Sequence, residues 1–241
     1  MSKLKEAALM VSSAVNHNRK SKVLFYHDIS GDECYTDMGT PLELFKSHID
    51  TINRCKFKIV PEVTETGDQV QICFDDGFRG IWDTRRYFMD NNIKPTVFLA
   101  VDLIGQKGYL GRDEILELQK SGFIFQSHAW SHKNLTDFHG KDLEREIKGS
   151  MDYLSDMLGK PVKEICFPIG YFSKEVYDEC RKWGYETMYS SIPGNFEDDI
   201  IFDGVKTRNL IQFYSPATVK YVLFGALAPF RNRYIKRQFV K

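Results

Sequence analysis

A single α/β domain built on parallel strands is the fold class this sequence predicts. Three observations carry the prediction. Short β-prone apolar runs alternate with segments of helical periodicity along most of the 241 residues, and such alternation implies β-α units around a parallel sheet. No repeat, linker or low-complexity stretch divides the chain. Residues able to do chemistry fall at the ends of the strand-like runs, where parallel α/β folds gather function. With about seven such units, the expectation is one distorted (β/α) barrel, closed or nearly so.

The elements follow in order. Lys22 to His27 is a β-prone apolar run and the first strand. From Pro41 to Arg54, Leu42, Phe45, Ile49 and Ile52 recur at helical spacing, with the proline suited to a first turn. Gln69 to Phe74 reads as a strand, Gly80 to Asn92 as a helix, and Pro95 to Ala100 as a strand. Arg112 to Lys120 is helical, closed by Ser121-Gly122, and Phe123 to Gln126 is the next strand. Lys141 to Leu158 puts Leu143, Ile147, Met151, Leu154 and Leu158 on one face and stops at Gly159. A strand at 164–167, a helix at 174–183 and strands at 185–190 and 204–210 complete the pattern. The domain reading is a helical extension at 1–21, a barrel at 22–215 and a basic, aromatic tail at 216–241.

Thirty-three basic and 33 acidic residues balance, so no global charge argues for nucleic acid. The balance hides an asymmetry, because no Asp or Glu follows Asp203 while Lys206, Arg208, Lys220, Arg231, Arg233, Lys236, Arg237 and Lys241 do. Five cysteines without CxxC spacing speak against a disulfide framework or a zinc knuckle. Cys73 and Cys166 sit in apolar runs and read as small core residues. The N-terminus lacks a signal-peptide core and cleavage site, and no apolar run reaches the roughly 20 residues of a membrane span. A reducing, cytoplasmic setting is the expectation.

Asp75-Asp76-Gly77 and His128-Ala129-Trp130-Ser131-His132 each follow a strand-like apolar run. By itself the first reads equally well as a helix-capping turn. Two adjacent carboxylates repel, however, which favours a cation beside them. His128 and His132 are four apart, so on a helical turn both rings project from one face. A carboxylate and two imidazoles are a common ligand set for a catalytic divalent ion, and the spare carboxylate is left to take a proton. His27, at the end of the first strand, reads in isolation as a buried histidine satisfied by backbone. His17, His48 and His139 fall in expected surface positions. Phe167-Pro168-Ile169-Gly170-Tyr171 is either a plain turn or one that presents a backbone N–H to an oxyanion.

Together these segments resemble the polysaccharide deacetylases of carbohydrate esterase family 4, the NodB-homology family. Phe74-Asp75-Asp76-Gly77 is similar to its first motif, His128 to His132 to its second, with Ala129 in place of Ser or Thr, and Phe167 to Gly170 to its third; the likeness runs from about Val23 to Arg208. The resemblance implies a NodB-like distorted barrel and removal of an acetyl group from an acetamido sugar. It implies Asp75 as general base, Asp76, His128 and His132 as ligands of one divalent metal, and the Ile169 N–H as oxyanion donor in a substrate-facing turn that includes Pro168 and Tyr171. Zinc is the first expectation for the ion, with cobalt, nickel, iron or manganese suited to the same donors. Three departures stand out: Cys166 where the third motif carries the arginine that orients the base, Ile169 where an aromatic residue is usual, and no Leu-x-His motif downstream. The early Tyr26-His27 is similar to the histidine of an exopolysaccharide (poly-N-acetylglucosamine type) subgroup, which implies His27 as the general acid.

The implied partner is an acetamido-sugar polymer, oligomer or lipid-linked precursor. The 221–241 tail reads either as a final helix with a solvated basic end or as a segment drawn to an anionic membrane surface. Competing readings are an inactive carbohydrate-binding barrel, a metal-free glycosidase using Asp75 and another carboxylate, and a deacylase for O-acetyl or N-formyl groups.

Overall fold

All six residues of the strand Gln69–Phe74 are buried, as befits a parallel strand covered on both faces. The structure is a computed structural model that describes residues 3–198 and 200–240. Eight strands form one curled parallel sheet. Their order is Val205–Lys206, Thr187–Tyr189, Glu164–Cys166, Ile124–Ser127, Thr96–Leu99, Gln69–Phe74, Lys22–Tyr26 and Asn209–Leu210. The two outermost strands are the two ends of one stretch of chain, 205–210, so the sheet is drawn round upon itself. The expected barrel-like α/β architecture is what the chain adopts. A further short strand, Lys58–Val60, pairs with the start of Gln69–Phe74.

Alternation along the strands divides the apolar residues between two cores. Val23, Phe25, Cys73, Phe98, Cys166 and Tyr189 fill the inside of the curl. Leu24, Tyr26, Ile72, Phe74, Val97 and Leu99 face outward and pack beneath the helices. The helix Leu42–Arg54 contributes Phe45, Ile49 and Ile52 to that outer layer. The helix Lys174–Trp183 begins where Ser173 Oγ accepts from the Val176 N–H and ends at left-handed Gly184. Cys34, Cys55, Cys73, Cys166 and Cys180 are all free thiols.

The two terminal segments meet on one side of the barrel. The N-terminal helix, Lys3–Val15, is tied to the segment after 215 by Ser12 Oγ donating to the Ala226 carbonyl (2.7 Å) and Ser215 Oγ donating to Glu6 (2.8 Å). The tail forms two helices, Pro216–Leu223 and Arg231–Gln238, rather than one, because Gly225, at a φ of 94°, breaks the path. It finishes in a strand, Phe239–Val240, that pairs with Phe172–Ser173 just after the Pro168–Gly170 turn. Among the described residues, no helix is long and apolar enough to cross a membrane.

Several local expectations change. The helix expected over 80–92 is two pieces, Gly80–Asp83 and Arg85–Asp90. Thr84 turns its hydroxyl back onto the Gly80 carbonyl at 2.7 Å and interrupts the ladder. The strand expected over 204–210 is split at Thr207-Arg208, since Arg208 donates its backbone N–H to the Ile192 carbonyl instead. His48 is fully buried, not on the surface; its ring lies 3.1 Å from the Tyr26 hydroxyl and 2.7 Å from the Tyr214 carbonyl.

Candidate metal centre and active-site cavity

Cys73 faces the inside of the sheet, and Asp75 continues its register two residues later. Its backbone N–H donates to the Tyr26 carbonyl, holding the loop against the neighbouring strand. Asp76 then takes a φ of 71° and Gly77 one of 76°, a left-handed step that turns the second carboxylate away from the first. A β-carbon on Gly77 would come within 2.6 Å of Leu99, so only glycine fits there.

The two carboxylates have different partners. Asp75 receives a two-pronged hydrogen bond from Arg208, Nη1 to Oδ1 at 2.6 Å and Nη2 to Oδ2 at 2.8 Å. The guanidinium also donates from Nε to the Ser190 carbonyl and lies 4.1 Å over the Phe25 ring. Both side chains are buried. Burial alone would push the Asp75 carboxyl up, but the Arg208 guanidinium beside it holds it below the usual carboxylate range.

Asp76 faces two imidazoles, with Oδ1 2.8 Å from His132 Nε2 and 3.3 Å from His128 Nε2. The rings do not meet as a helical pair. Ala129 and His132 adopt φ values of 63° and 58°, so the segment after the Ile124–Ser127 strand is a tight loop. Buried Glu146 fastens that loop by accepting from the Trp130 and Ser131 N–H groups at 3.2 and 2.9 Å. His128 Nδ1 lies 2.8 Å from the Cys166 carbonyl. A carbonyl only accepts, so Nδ1 carries a hydrogen, and in the neutral ring Nε2 presents a lone pair.

That tautomer tests the site for a metal. Asp76 Oδ1 is buried and accepts no hydrogen bond of sound geometry. A lone-pair nitrogen facing a buried carboxylate oxygen is repulsive unless a cation lies between them. Asp76, His128 and His132 offer donor atoms all within 4.8 Å of one another, and the set suits a divalent ion. Burial would push the Asp76 carboxyl up, yet positive charge at the two imidazoles, carried there by protons when no ion is bound, holds it far below the ordinary range. A second grouping, Asp75, His128 and Cys166, also clusters, but it fits poorly. Arg208 occupies both Asp75 oxygens, and burial raises the Cys166 thiol well above its usual pKa.

His27 stands across the cavity, half-buried, with Nδ1 2.7 Å from Gln212 Oε1. Ile169, at a φ of 59°, reaches the cavity from the turn after the Glu164–Cys166 strand. Such a backbone costs a β-branched residue on the order of 1–3 kcal/mol. The cavity, about 460 Å³, brings His27, Asp75, Asp76, His128, His132 and Ile169 together. Pro168 and Tyr171 are not among its lining residues.

The chain belongs to the polysaccharide deacetylase family. Residues 62–188 match that family. Among curated proteins, YxkH of Bacillus subtilis (strain 168) is 23% identical over 186 residues, 73% of this chain and 66% of its own length. Among solved structures, BC0361, a polysaccharide deacetylase from Bacillus cereus, superposes with a TM-score of 0.73 at 22% identity, over 85% of this chain and 69% of that one. IcaB from Ammonifex degensii gives 0.73 at 15% identity, over 87% and 99%. At these identities the structural likeness speaks for the fold.

Sequence reasoning missed two residues. Arg208 stands against the aspartate that the third-motif arginine would orient, 42 residues beyond Cys166, and reaches Cys166 Sγ itself at 2.8 Å. The available signal was an arginine inside a short run bounded by Val205 and Leu210, where only a buried partner makes a charge tolerable. Gln212, two residues past the strand Asn209–Leu210, carried no signal at all.

Proposed function

We propose that this chain is a metal-dependent deacetylase that hydrolyses the N-acetyl group of an acetamido sugar in a polysaccharide or its precursor. The convergence of Asp76, His128 and His132, with Asp75 gripped beside them by Arg208, carries this reading. Exopolysaccharides of the poly-N-acetylglucosamine type are the substrate group favoured by the early Tyr26-His27. The same chemistry covers polymeric, oligomeric and lipid-linked forms.

Held by Asp76, His128 and His132, a divalent ion (zinc by donor type) would polarise the acetyl carbonyl and lower the pKa of water toward about 7. Asp75, ionised through the neutral range, takes the proton of the attacking water. Arg208 keeps the Asp75 carboxylate in one rotamer, so the proton transfer needs no search. The Ile169 N–H, presented by its left-handed backbone, donates to the developing oxyanion. His27, its Nδ1 hydrogen on Gln212, delivers a proton from Nε2 to the departing amine, which leaves badly as an anion. Exposed Phe213 and Leu210 at the cavity rim offer an apolar surface to a sugar ring.

The alternatives have less support. Asp75 and Asp76 are the only carboxylates among the described cavity residues. They are adjacent and bound to different partners, whereas a glycosidase needs two that flank the bond. An inactive binding barrel leaves the buried Asp76 and the Arg208–Asp75 pair without purpose.

The test is acetate release from a panel of acetamido sugars, before and after chelation. Turnover that stops on metal removal and returns with added divalent ion supports the proposal. Full activity in metal-free protein, or no acetate from any sugar, would overturn it.

A further inference from the structure

The catalytic cavity does not end at the barrel. Tyr214, Leu227, Tyr234 and Arg237 line it and also line a second groove of about 580 Å³. That groove runs between the helices Lys3–Val15 and Arg231–Gln238, with Leu4, Ala8, Leu9 and Phe230 along its walls. Among the described residues its charged lining is of one sign, Lys5, Arg233 and Arg237, with no carboxylate. Among the described residues, neither Arg233 nor Arg237 is paired with an acidic side chain, whereas nearby Arg231 bonds Asp198 at 2.8 Å.

The N-terminal helix adds a second observation. Leu4, Ala8, Val11 and Val15 recur at i, i+4, i+7 and i+11, which places them on one face, and all four are exposed. Apolar groove walls that include Leu4 and Ala8, beside unpaired arginines and sharing Tyr214, Leu227, Tyr234 and Arg237 with the catalytic cavity, suit a molecule that is hydrocarbon at one end and anionic in its middle. A free polysaccharide has no part that matches it.

Resting on the deacetylase reading, we propose that the acetamido sugar arrives linked through phosphate to a lipid. The sugar occupies the catalytic cavity, the phosphate sits at Arg237 and Arg233, and the first hydrocarbon units lie in the groove against Leu9, Phe230 and Ala8. The acid-free composition after Asp203 keeps this path attractive to an anion.

Calorimetric titration of the full chain with farnesyl phosphate, farnesol and inorganic phosphate tests the groove without any turnover. Farnesyl phosphate should bind at least about tenfold more tightly than either fragment, as joined contacts add. Arg233→Glu, which reverses an exposed charge, and Ala8→Trp, which fills the groove, should each weaken it by about tenfold or more. Unchanged metal content and circular dichroism show that each variant remains folded. Equal affinity for the three probes, or indifference to both variants, overturns the proposal. So does binding to phosphatidylglycerol vesicles without binding to farnesyl phosphate, which would make the surface a bilayer contact. Acetate release from a soluble acetamido sugar, measured in parallel, reports the deacetylase reading separately.

Discussion

Asp75 and Asp76 are the same residue side by side, yet their surroundings assign them opposite properties. Asp75 lies on the inner side of the sheet, where a guanidinium donates once to each oxygen and leaves each a free lone pair. Asp76 lies across a left-handed turn, where a buried oxygen faces two ring nitrogens and accepts no sound hydrogen bond. The first is held by donors from the protein itself; the second presents an oxygen that a cation could satisfy. Adjacent identical side chains are thus told apart by partners drawn from distant segments, Arg208 for one and the 128–132 loop for the other.

The largest break in this comparison comes from exchanging the acids for amides. Asp75→Asn should keep the metal and lower kcat by about 10² to 10⁴, the usual range for a lost general base. His128→Ala should lose the ion outright, read by metal analysis after dialysis. Next is Arg208→Met, which strands a buried carboxylate and should cost about 3–5 kcal/mol of unfolding free energy in denaturant titrations. Adding Asp75→Asn to that variant should recover part of the loss, whereas strictly additive losses would deny the pairing. Arg208→Lys keeps the charge but not the two-pronged grip. Asp75 should then titrate at higher pH, moving the acid limb of kcat/KM upward; an unmoved limb would detach Arg208 from the base.

A smaller effect sharpens the contrast with a third acid. Asp28 is fully buried next to the strand Lys22–Tyr26, and burial, only partly offset by the backbone N–H groups of Ile29, Gly80 and Ile81, pushes its carboxyl up to about 7. Its folded pKa lies above the unfolded value. The folded state therefore holds a proton that the unfolded chain has released between about pH 4 and 7, and stability falls as pH rises through that window. Asp28→Asn should flatten this dependence, measured as unfolding free energy at pH 4.5 and 7 (buffer values on the order of the two limits). An unchanged slope would place its source elsewhere.

The fold was legible because its signals are periodic. Gln69–Phe74, Arg112–Lys120 and Lys174–Trp183 emerge with the bounds the sequence implied, since apolar spacing and glycine or serine stops determine them. The ligand-type residues were legible because they follow strands. Less accessible was everything that depends on close approach across the sheet. His128 and His132 converge through a loop with two left-handed residues, which spacing alone misreads as a helical turn. Cys166 stands where an arginine was sought, and the arginine comes from the stretch that joins the sheet's two edges. His48 looked like a surface residue because its partners, Tyr26 and Tyr214, lie far off in sequence.

Metal content measured side by side in Asp75→Asn and Asp76→Asn tests the division between the two carboxylates most directly. Asp75→Asn should retain about one divalent ion per chain with turnover lost, and Asp76→Asn should lose the ion. An Asp76→Asn protein that holds its metal at wild-type occupancy, or an Asp75→Asn protein that sheds it, would contradict the assignment.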